Sequence, residues 1–447
     1  MRRWALAWLL APFIFPCVAC GSNDDAPKDA GADADAGKPK PKDAGFEAAA
    51  YVPQGVRCVR DDDAGAPTPW SPPSNDGGTD GGDDGGTDGG IELPRAAQLV
   101  APDGVVAPLP VFIPITFDGD YARNEVEDFV ASVGCTPYWR AIANEYGIAD
   151  GITGTPIHLS EAAPVTISDS QIRSWLNKKI STDPLFPKPS VNTVYAIFYP
   201  DGTEVTAFGG RSCANFGGYH GSTFVGGKVA PYAVMPRCGG SIDTLTNVTA
   251  HELIEYATDP APPSGYTSVG DPDLAWGIFG SSEVADMCQY GPQASFTPNG
   301  YPFVVQRSWS NKAAWNRDDP CVPAVAPVYF VAAPVVSDTV TMNWYGVPTQ
   351  TRGVKLAVGQ TRTIDVVLMA NGSTAAWTVQ ANDLSPSLGG GATVKLTLDK
   401  TTGVAGDVLK LTIERVGTNS GTGVAPFVIR SSQKGGTNHS WYAVVGD

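Results

Sequence analysis

The apolar positions of this chain follow two regimes. Between residues 91 and 323, short apolar runs alternate with segments of helical period; beyond about residue 324 only short alternating stretches remain. In the first regime, VFIPITF (111–117), TPIHLS (155–160), NTVYAIFYP (192–200) and VAPYAVMP (229–236) read as strands, being short and bounded by turn residues. NEVEDFVASV (124–133) and TPYWRAIANEYG (136–147) read as helices. SDSQIRSWLNKKI (168–180) opens on a polar cap and carries Ile172, Trp175, Leu176 and Ile180 at helical spacing, and a longer helix is expected over 242–258. Mixed strands and helices in this order predict an α/β (or α+β) layered domain over 91–323. After it, YFVAA, TVTMNWYGV, RTIDVVLMA, DVLKLTIERV and APFVIRSS, separated by Gly, Asn, Ser and Pro, predict an all-β, immunoglobulin-like sandwich over 324–447. Its expected roles are adhesion, substrate presentation or spacing.

The first ninety residues have neither pattern. Arg2 and Arg3 precede an apolar run from Trp4 to Ala19 that is short for a membrane span, so 1–19 is expected to be a secretory signal. It closes on Val18-Ala19-Cys20-Gly21, which resembles a bacterial lipobox. Cleavage before Cys20, with lipid on its thiol, would anchor the mature protein to a membrane at the cell surface or in the periplasm; plain secretion is the alternative. Residues 20–90 are rich in Asp, Gly and Ala, including NDGGTDGGDDGGTDGG. They offer too little apolar surface to offset the entropy of ordering, and a disordered, lipid-anchored linker is expected. The Asp-Gly pattern lacks the spaced ligands and closing Glu of an EF-hand loop.

The formal net charge of −16 changes this picture little, because residues 21–90 hold fifteen Asp/Glu against six Lys/Arg. No basic face points to nucleic acid, and a monomer is expected. Beyond the signal and the expected lipid-bearing Cys20 lie six cysteines, an even number that in an exported chain predicts disulfides. Sequence neighbours suggest Cys213 with Cys238 and Cys288 with Cys321, leaving Cys58 for Cys135. Cys58 also looks faintly like the inhibitory cysteine of a pro-segment, although a disulfide is the plainer reading.

Candidate chemistry lies in TAHELIEYATDP (249–260). His251 and Glu255 sit at i and i+4, on one face of a helix, where both can reach one ion. Glu252, about 100° further round, stands where a general base would take a proton from water, as in His-Glu-x-x-His hydrolases. Here Glu255 replaces the second histidine. The plain reading, a helix carrying His and Glu on a solvated face, is weakened by rarity, since the chain has only four histidines and eleven glutamates. In GSSEVADMC (280–288), Glu283 and Asp286 share a face if the segment is helical. Thermolysin-like enzymes, which this plan resembles, take a third ligand from a Glu on a later helix. Glu283 is therefore expected as third ligand, with Asp286 supporting the site or ligating instead. Asp259 either caps the turn before Pro260 or supports the site through a hydrogen bond. His220, in NFGGYHGS, is expected in an exposed loop, with an extra ligand or substrate contact as the alternative; His158 is expected half-buried on a strand.

Three stretches together resemble the EXORDIUM-like (phosphate-induced protein) family: SCANFGGYHGS (212–222), PYAVMPRCGG (231–240), and the pairing of HELIEYATDP with EVADMC. The resemblance covers roughly 110–322 and implies export and an extracellular role. Plant members generally lack the His-Glu pair, whereas this chain carries His251, Glu252 and Glu255, as do the bacterial relatives that it looks like.

These readings lead to a surface-tethered zinc peptidase with a zincin-like domain acting on a peptide or protein substrate. His251, Glu255 and Glu283 would hold the metal, and Glu252 would act as base. Two carboxylate ligands make Mn²⁺ or Ca²⁺ more competitive with Zn²⁺. The alternative is a non-catalytic cell-surface binding protein with a structural metal or none.

Overall fold

The computed structural model describes residues 57–61, 63, 65–73, 87–88, 91–278, 283–291, 293–326, 328–434 and 438–447. The expected signal peptide, Cys20 and much of the expected linker lie outside these residues. Among them, no helix is long and apolar enough to cross a membrane.

The centre of the first domain is a mixed sheet. β1 (Val111–Thr116), β2 (Thr193–Tyr199), β3 (Tyr219–Val225) and β4 (Lys228–Pro236) lie in the order β3-β4-β2-β1. β1, β2 and β4 run parallel, and β3 is an antiparallel strand on the outer edge of β4. The parallel strands are nearly all buried along their length, as strands covered on both faces must be.

Side-chain alternation sends each strand's apolar groups to two separate cores. Phe112, Val194, Ala196, Phe198, Ala233 and Met235 face one side, where α1 (Arg123–Val133), α2 (Pro137–Ala143) and α4 (Ile242–Thr258) pack. Ile113, Ile115, Tyr195, Ile197, Tyr199 and Val234 face the other side and meet Ile172, Leu176 and Ile180 of α3 (Asp169–Thr182). α3 begins with a full capping box between Ser168 and Gln171, the local signal that fixes its start.

The second domain is a β-sandwich. Its strands are β5 (Phe330–Pro334), β6 (Asp338–Trp344), β7 (Val347–Lys355), β8 (Thr361–Ala370), β9 (Trp377–Asp383), β10 (Val394–Leu398), β11 (Val408–Arg415), β12 (Ala425–Ser432) and β13 (Asn438–Gly446). One sheet runs β5-β8-β11-β10; the other runs β6-β7-β13-β12-β9, with Thr402–Gly403 on its outer edge. Along β11, buried Leu409, Leu411 and Ile413 alternate with more exposed residues, the period expected of a sheet with one covered face.

The boundary near residue 323 is not a loose joint. Apolar residues of the sandwich, including Val331, Ala333 and Trp441, belong to the same buried cluster as α1, α2 and α4. Trp276 packs edge-on against Trp309 of the first domain and against Trp441 and Tyr442 of the sandwich, with ring centroids 5.3–5.5 Å apart. Arg352 of β7 pairs with Asp273 beside this seam.

Three disulfides join Cys58 to Cys135, Cys213 to Cys238 and Cys288 to Cys321. The first corrects the extent of the expected linker, because residues 57–61 and 65–73 are docked on the domain. The Cys58 N–H donates to the Ala131 carbonyl, Arg60 Nη1 donates to the carbonyls of Pro110 and Asp150, and Trp70 N–H donates to Glu145 O. Low-complexity composition further along hid an anchoring point that a covalent bond and backbone pairing supply. His158 is also corrected: it is exposed at the end of a short strand (Ile157–His158) and pairs with Glu127 at 2.5 Å.

His439, on β13, is packed between the rings of Tyr329 and Phe330, at centroid distances of 4.6 and 5.1 Å. Burial lowers its pKa to about 4, below the ordinary histidine value. The folded state thus favours the neutral ring, and this contribution is complete above the unfolded pKa of about 6.5. It is lost as pH falls from there toward about 4, costing up to about 3 kcal/mol. A His439→Phe variant should show a smaller fall in urea midpoint between pH 7 and pH 4 than the unchanged protein.

Candidate metal centre

α4 carries the centre, and its burial comes first. Leu245, Ala250, Leu253, Ile254, Tyr256 and Ala257 are buried against the first core. Burial of each larger apolar side chain contributes about 1.5–3 kcal/mol. The helix is thereby held with its remaining face, His251, Glu252 and Glu255, also turned into protein: Glu252 and Glu255 are each only 3% exposed.

Two other segments close over that face. The first is the edge strand β3. Tyr219 points to the α3 side, where its hydroxyl donates to Asp169, so alternation turns His220 toward α4. His220 is not in an exposed loop as expected: its side chain is 5% exposed, and its Nδ1 lies 3.7 Å from Glu252 Oε2 and 3.5 Å from Glu255 Oε2. Gly218 permits this approach, since a Cβ there would lie 2.6 Å from Val248 Cγ1 and 2.9 Å from Glu252 Oε1. The glycines of NFGGYHGS read as loop punctuation and concealed the strand.

The second segment is the Glu283–Cys288 stretch, pinned by the Cys288–Cys321 disulfide. Its Asp286 N–H donates to Glu255 Oε1 at 3.1 Å. Only Asp286–Cys288 is helical, as a single 3-10 turn, so Glu283 and Asp286 do not act as a pair on one helical face.

Three groups of ligand atoms converge within 4.8 Å: His251, Glu255 and Asp286; His220, Glu252 and Glu255; and His220, Asp259 and Glu283. His251 Nε2 lies 3.1 Å from Glu255 Oε1 and 3.4 Å from Asp286 Oδ1. The expected trio of His251, Glu255 and Glu283 is not among these groups. Asp286 stands beside His251, and Glu283 instead lies with its Oε1 3.8 Å from His220 Nε2. Asp259 closes the turn and also lies beside the site, though without a hydrogen bond to it. Its Oδ1 accepts the Gly265 N–H at 2.8 Å, closing the turn after α4, and its carboxylate joins His220 and Glu283.

The electrostatics follow from crowding acidic groups away from water. Burial pushes the Glu252 carboxyl up, and His220 offsets this only in part. Burial, together with repulsion from Glu255, pushes Glu283 well up, and burial raises Asp259. Burial also opposes ionisation of Glu255, but the charges of His251 and His220 outweigh it and hold that carboxyl at about 2. Burial disfavours charge on the two imidazoles, yet the surrounding carboxylates raise both well above the ordinary value: Glu283, Glu252 and Glu255 for His220, and chiefly Glu255 for His251. Protons therefore balance the charge here, and a cation can take their place. Three buried atoms, His220 Nε2, Glu252 Oε2 and Asp259 Oδ2, have no hydrogen-bond partner. Such orphans are costly unless something binds them. The imidazole and carboxylate donor set suits Zn²⁺ or Mn²⁺.

No family model and no curated protein matches this chain. Among solved structures it is similar to domains 4 and 5 of the S-layer protein SbsC, at 18% identity and a TM-score of 0.16, over 26% of this chain and 47% of that one. It is also similar to a conjugative transposon lipoprotein from Bacteroides eggerthii, at 13% identity and a TM-score of 0.17, over 27% of this chain and 98% of that one. A lipoprotein from Bacteroides thetaiotaomicron matches at 16% identity and a TM-score of 0.17, over 29% and 88%. The chain thus spans about half the length of the S-layer fragment. At these TM-scores the likenesses carry no inference about activity. The three disulfides themselves indicate an oxidising compartment, and so export.

Two outcomes are expected. Gly218→Ala should lower the unfolding free energy by about 1–3 kcal/mol in urea titrations, because the new methyl must displace Val248 or Glu252. Titrating Zn²⁺ into metal-stripped protein at pH 7 should release protons, seen by calorimetry as a heat that varies with the buffer's ionisation enthalpy.

Proposed function

We propose that this protein is an exported, divalent-metal-dependent hydrolase with a zincin-like first domain, and that a peptide is its substrate. The observation that carries this reading is the convergence of His251 Nε2, Glu255 and Asp286 on one point, beside a Glu252 carboxylate with an unpartnered oxygen. A bound Zn²⁺ or Mn²⁺ would supply Lewis acidity to polarise a carbonyl and acidify water. His251 and Glu255 hold their places because both rise from one face of α4. Asp286 is positioned by its own N–H on Glu255. Glu252, one residue beyond His251, would take the proton of the attacking water, and a raised pKa brings its proton affinity closer to that task. The mixed sheet with its antiparallel edge strand beside α4 supports the zincin-like comparison. Anchoring through lipid on Cys20 is part of the same reading, motivated by the Val18-Ala19-Cys20-Gly21 sequence.

A second reading is favoured by one observation. The side chains of Glu252, Glu255, His220, His251 and Asp286 are all between 3% and 12% exposed, and closed ligand shells are typical of structural ions. On this reading the protein is a cell-surface binding protein of EXORDIUM-like type that uses an ion to brace α4.

The deciding comparison is Glu252→Gln beside His251→Ala, with metal content and hydrolysis of a peptide library measured together. The hydrolase reading expects Glu252→Gln to retain metal while losing at least about a hundredfold in rate, and His251→Ala to lose hydrolysis together with the ion that His251 would ligate. Peptide hydrolysis undiminished by Glu252→Gln would defeat the proposed base. Tightly held metal without hydrolysis by the unchanged protein would favour the structural ion.

A further inference from the structure

The cluster's ligand atoms form three overlapping groups, of which two have no residue in common and the third, His220, Glu252 and Glu255, links them. His251, Glu255 and Asp286 converge on one side, and His220, Asp259 and Glu283 on the other. No residue is shared between these sets. We propose that the centre binds two divalent cations, one at each set, with Glu255 and His220 standing between them; this rests on the metal-centre reading above.

Charge balance carries the argument. Each set contains one imidazole and two carboxylates; with the imidazole neutral, the ligands sum to −2 and match one divalent ion. A single divalent ion would leave the other set to be neutralised by protons alone, with the buried His220 Nε2 and Asp259 Oδ2 still without a partner. Among the described residues, the ion pairs of Glu252, Glu255 and Glu283 are with His220 or His251. Two cations would leave Glu252 as the one carboxylate outside both ligand sets.

The geometry of His220 is independent of that count. Its two ring nitrogens face different partners, Nδ1 toward Glu252 and Glu255 and Nε2 toward Glu283. Nε2 is buried without a hydrogen-bond partner, and so is Asp259 Oδ2 in the same set. With two carboxylate oxygens 3.5–3.7 Å from Nδ1, the ring is oriented with Nε2 turned the other way, toward Glu283, where it can serve as a ligand. Glu255 holds both ends together: Oε1 faces His251 Nε2 at 3.1 Å and Oε2 faces His220 Nδ1 at 3.5 Å. The second ligand set was scattered in sequence over positions 220, 259 and 283 and has no motif of its own.

The test is metal stoichiometry in the full exported chain, stripped with a chelator and reloaded with Zn²⁺, then with Mn²⁺. Elemental analysis after gel filtration should find two ions per chain. His220→Ala and Glu283→Gln should each retain one ion, and so should His251→Ala. Glu283 is the most exposed of the set, with its side chain 19% exposed. Its variant therefore keeps the second site testable if His220→Ala fails to fold, with circular dichroism as the check. Mn²⁺-loaded protein should show a spin-coupled electron paramagnetic resonance signal that Glu283→Gln abolishes. One ion per chain, unchanged in Glu283→Gln, would overturn the second site while leaving the single-metal reading intact. Loss of all metal in Glu283→Gln would show one shared centre and overturn the proposal as well. No metal in the unchanged protein would remove both readings together.

Discussion

The constraint on which the first domain turns is the burial of α4 with its acidic face inward. A helix can carry His and Glu into a protein interior only if apolar contacts elsewhere on it outweigh their desolvation, and Leu245, Leu253, Ile254 and Tyr256 provide such contacts. Everything nearby responds to the charge thus trapped. The edge strand supplies His220, the turn after the helix uses Asp259 to bind the Gly265 N–H, and the 283–288 segment is held by a disulfide and by the Asp286 N–H on Glu255. Protons shared among histidines and carboxylates balance the cluster when no cation does so.

This arrangement links the disulfides to the chemistry. Cys213–Cys238 ties the loop entering β3 to the end of β4, on either side of the strand that bears His220. Cys288–Cys321 fixes the segment bearing Glu283 and Asp286, and closing a loop of that length is worth roughly 4 kcal/mol. The two segments that meet α4 are thus covalently restrained, so the ligand positions do not depend on the mutual attraction of buried charged groups. The aromatic seam at Trp276 extends the same rigidity into the sandwich, which shares the core rather than hanging from a tether.

The ion-pair geometry also explains why the motif on α4 departs from two histidines. With Glu255 in the second ligand position, one side chain can present oxygens in two directions, to His251 and to His220. An imidazole there would also offer two nitrogens, but it would bring no charge to offset a cation. The cost is a stronger demand for neutralisation, met by protons or by metal.

The sequence by itself determined the elements whose signals are local. The strands at 111–117, 192–200 and 229–236, helices α1, α3 and α4, and the alternating strands of the sandwich were legible from periodicity, caps and spacing; the even cysteine count announced disulfides, while their pairing was only suggested by nearness in sequence. So was the joint placement of His251 and Glu255, because a helix fixes which residues share a face. Tertiary structure alone decided the rest. His220 reads as a loop residue among glycines, yet Gly218 is there to let an edge strand approach Val248 and Glu252, and alternation then buries the ring. Glu283 and Asp286 look interchangeable at a spacing of three, but the chain coils only from Asp286 onward, and the two acids part toward different histidines. Residues 57–73 look like tether until the Cys58–Cys135 bond and backbone pairing dock them. Local patterns report the period of an element; which distant side chains meet across a core depends on sheet order, turn geometry and close approach, and no window of sequence contains those.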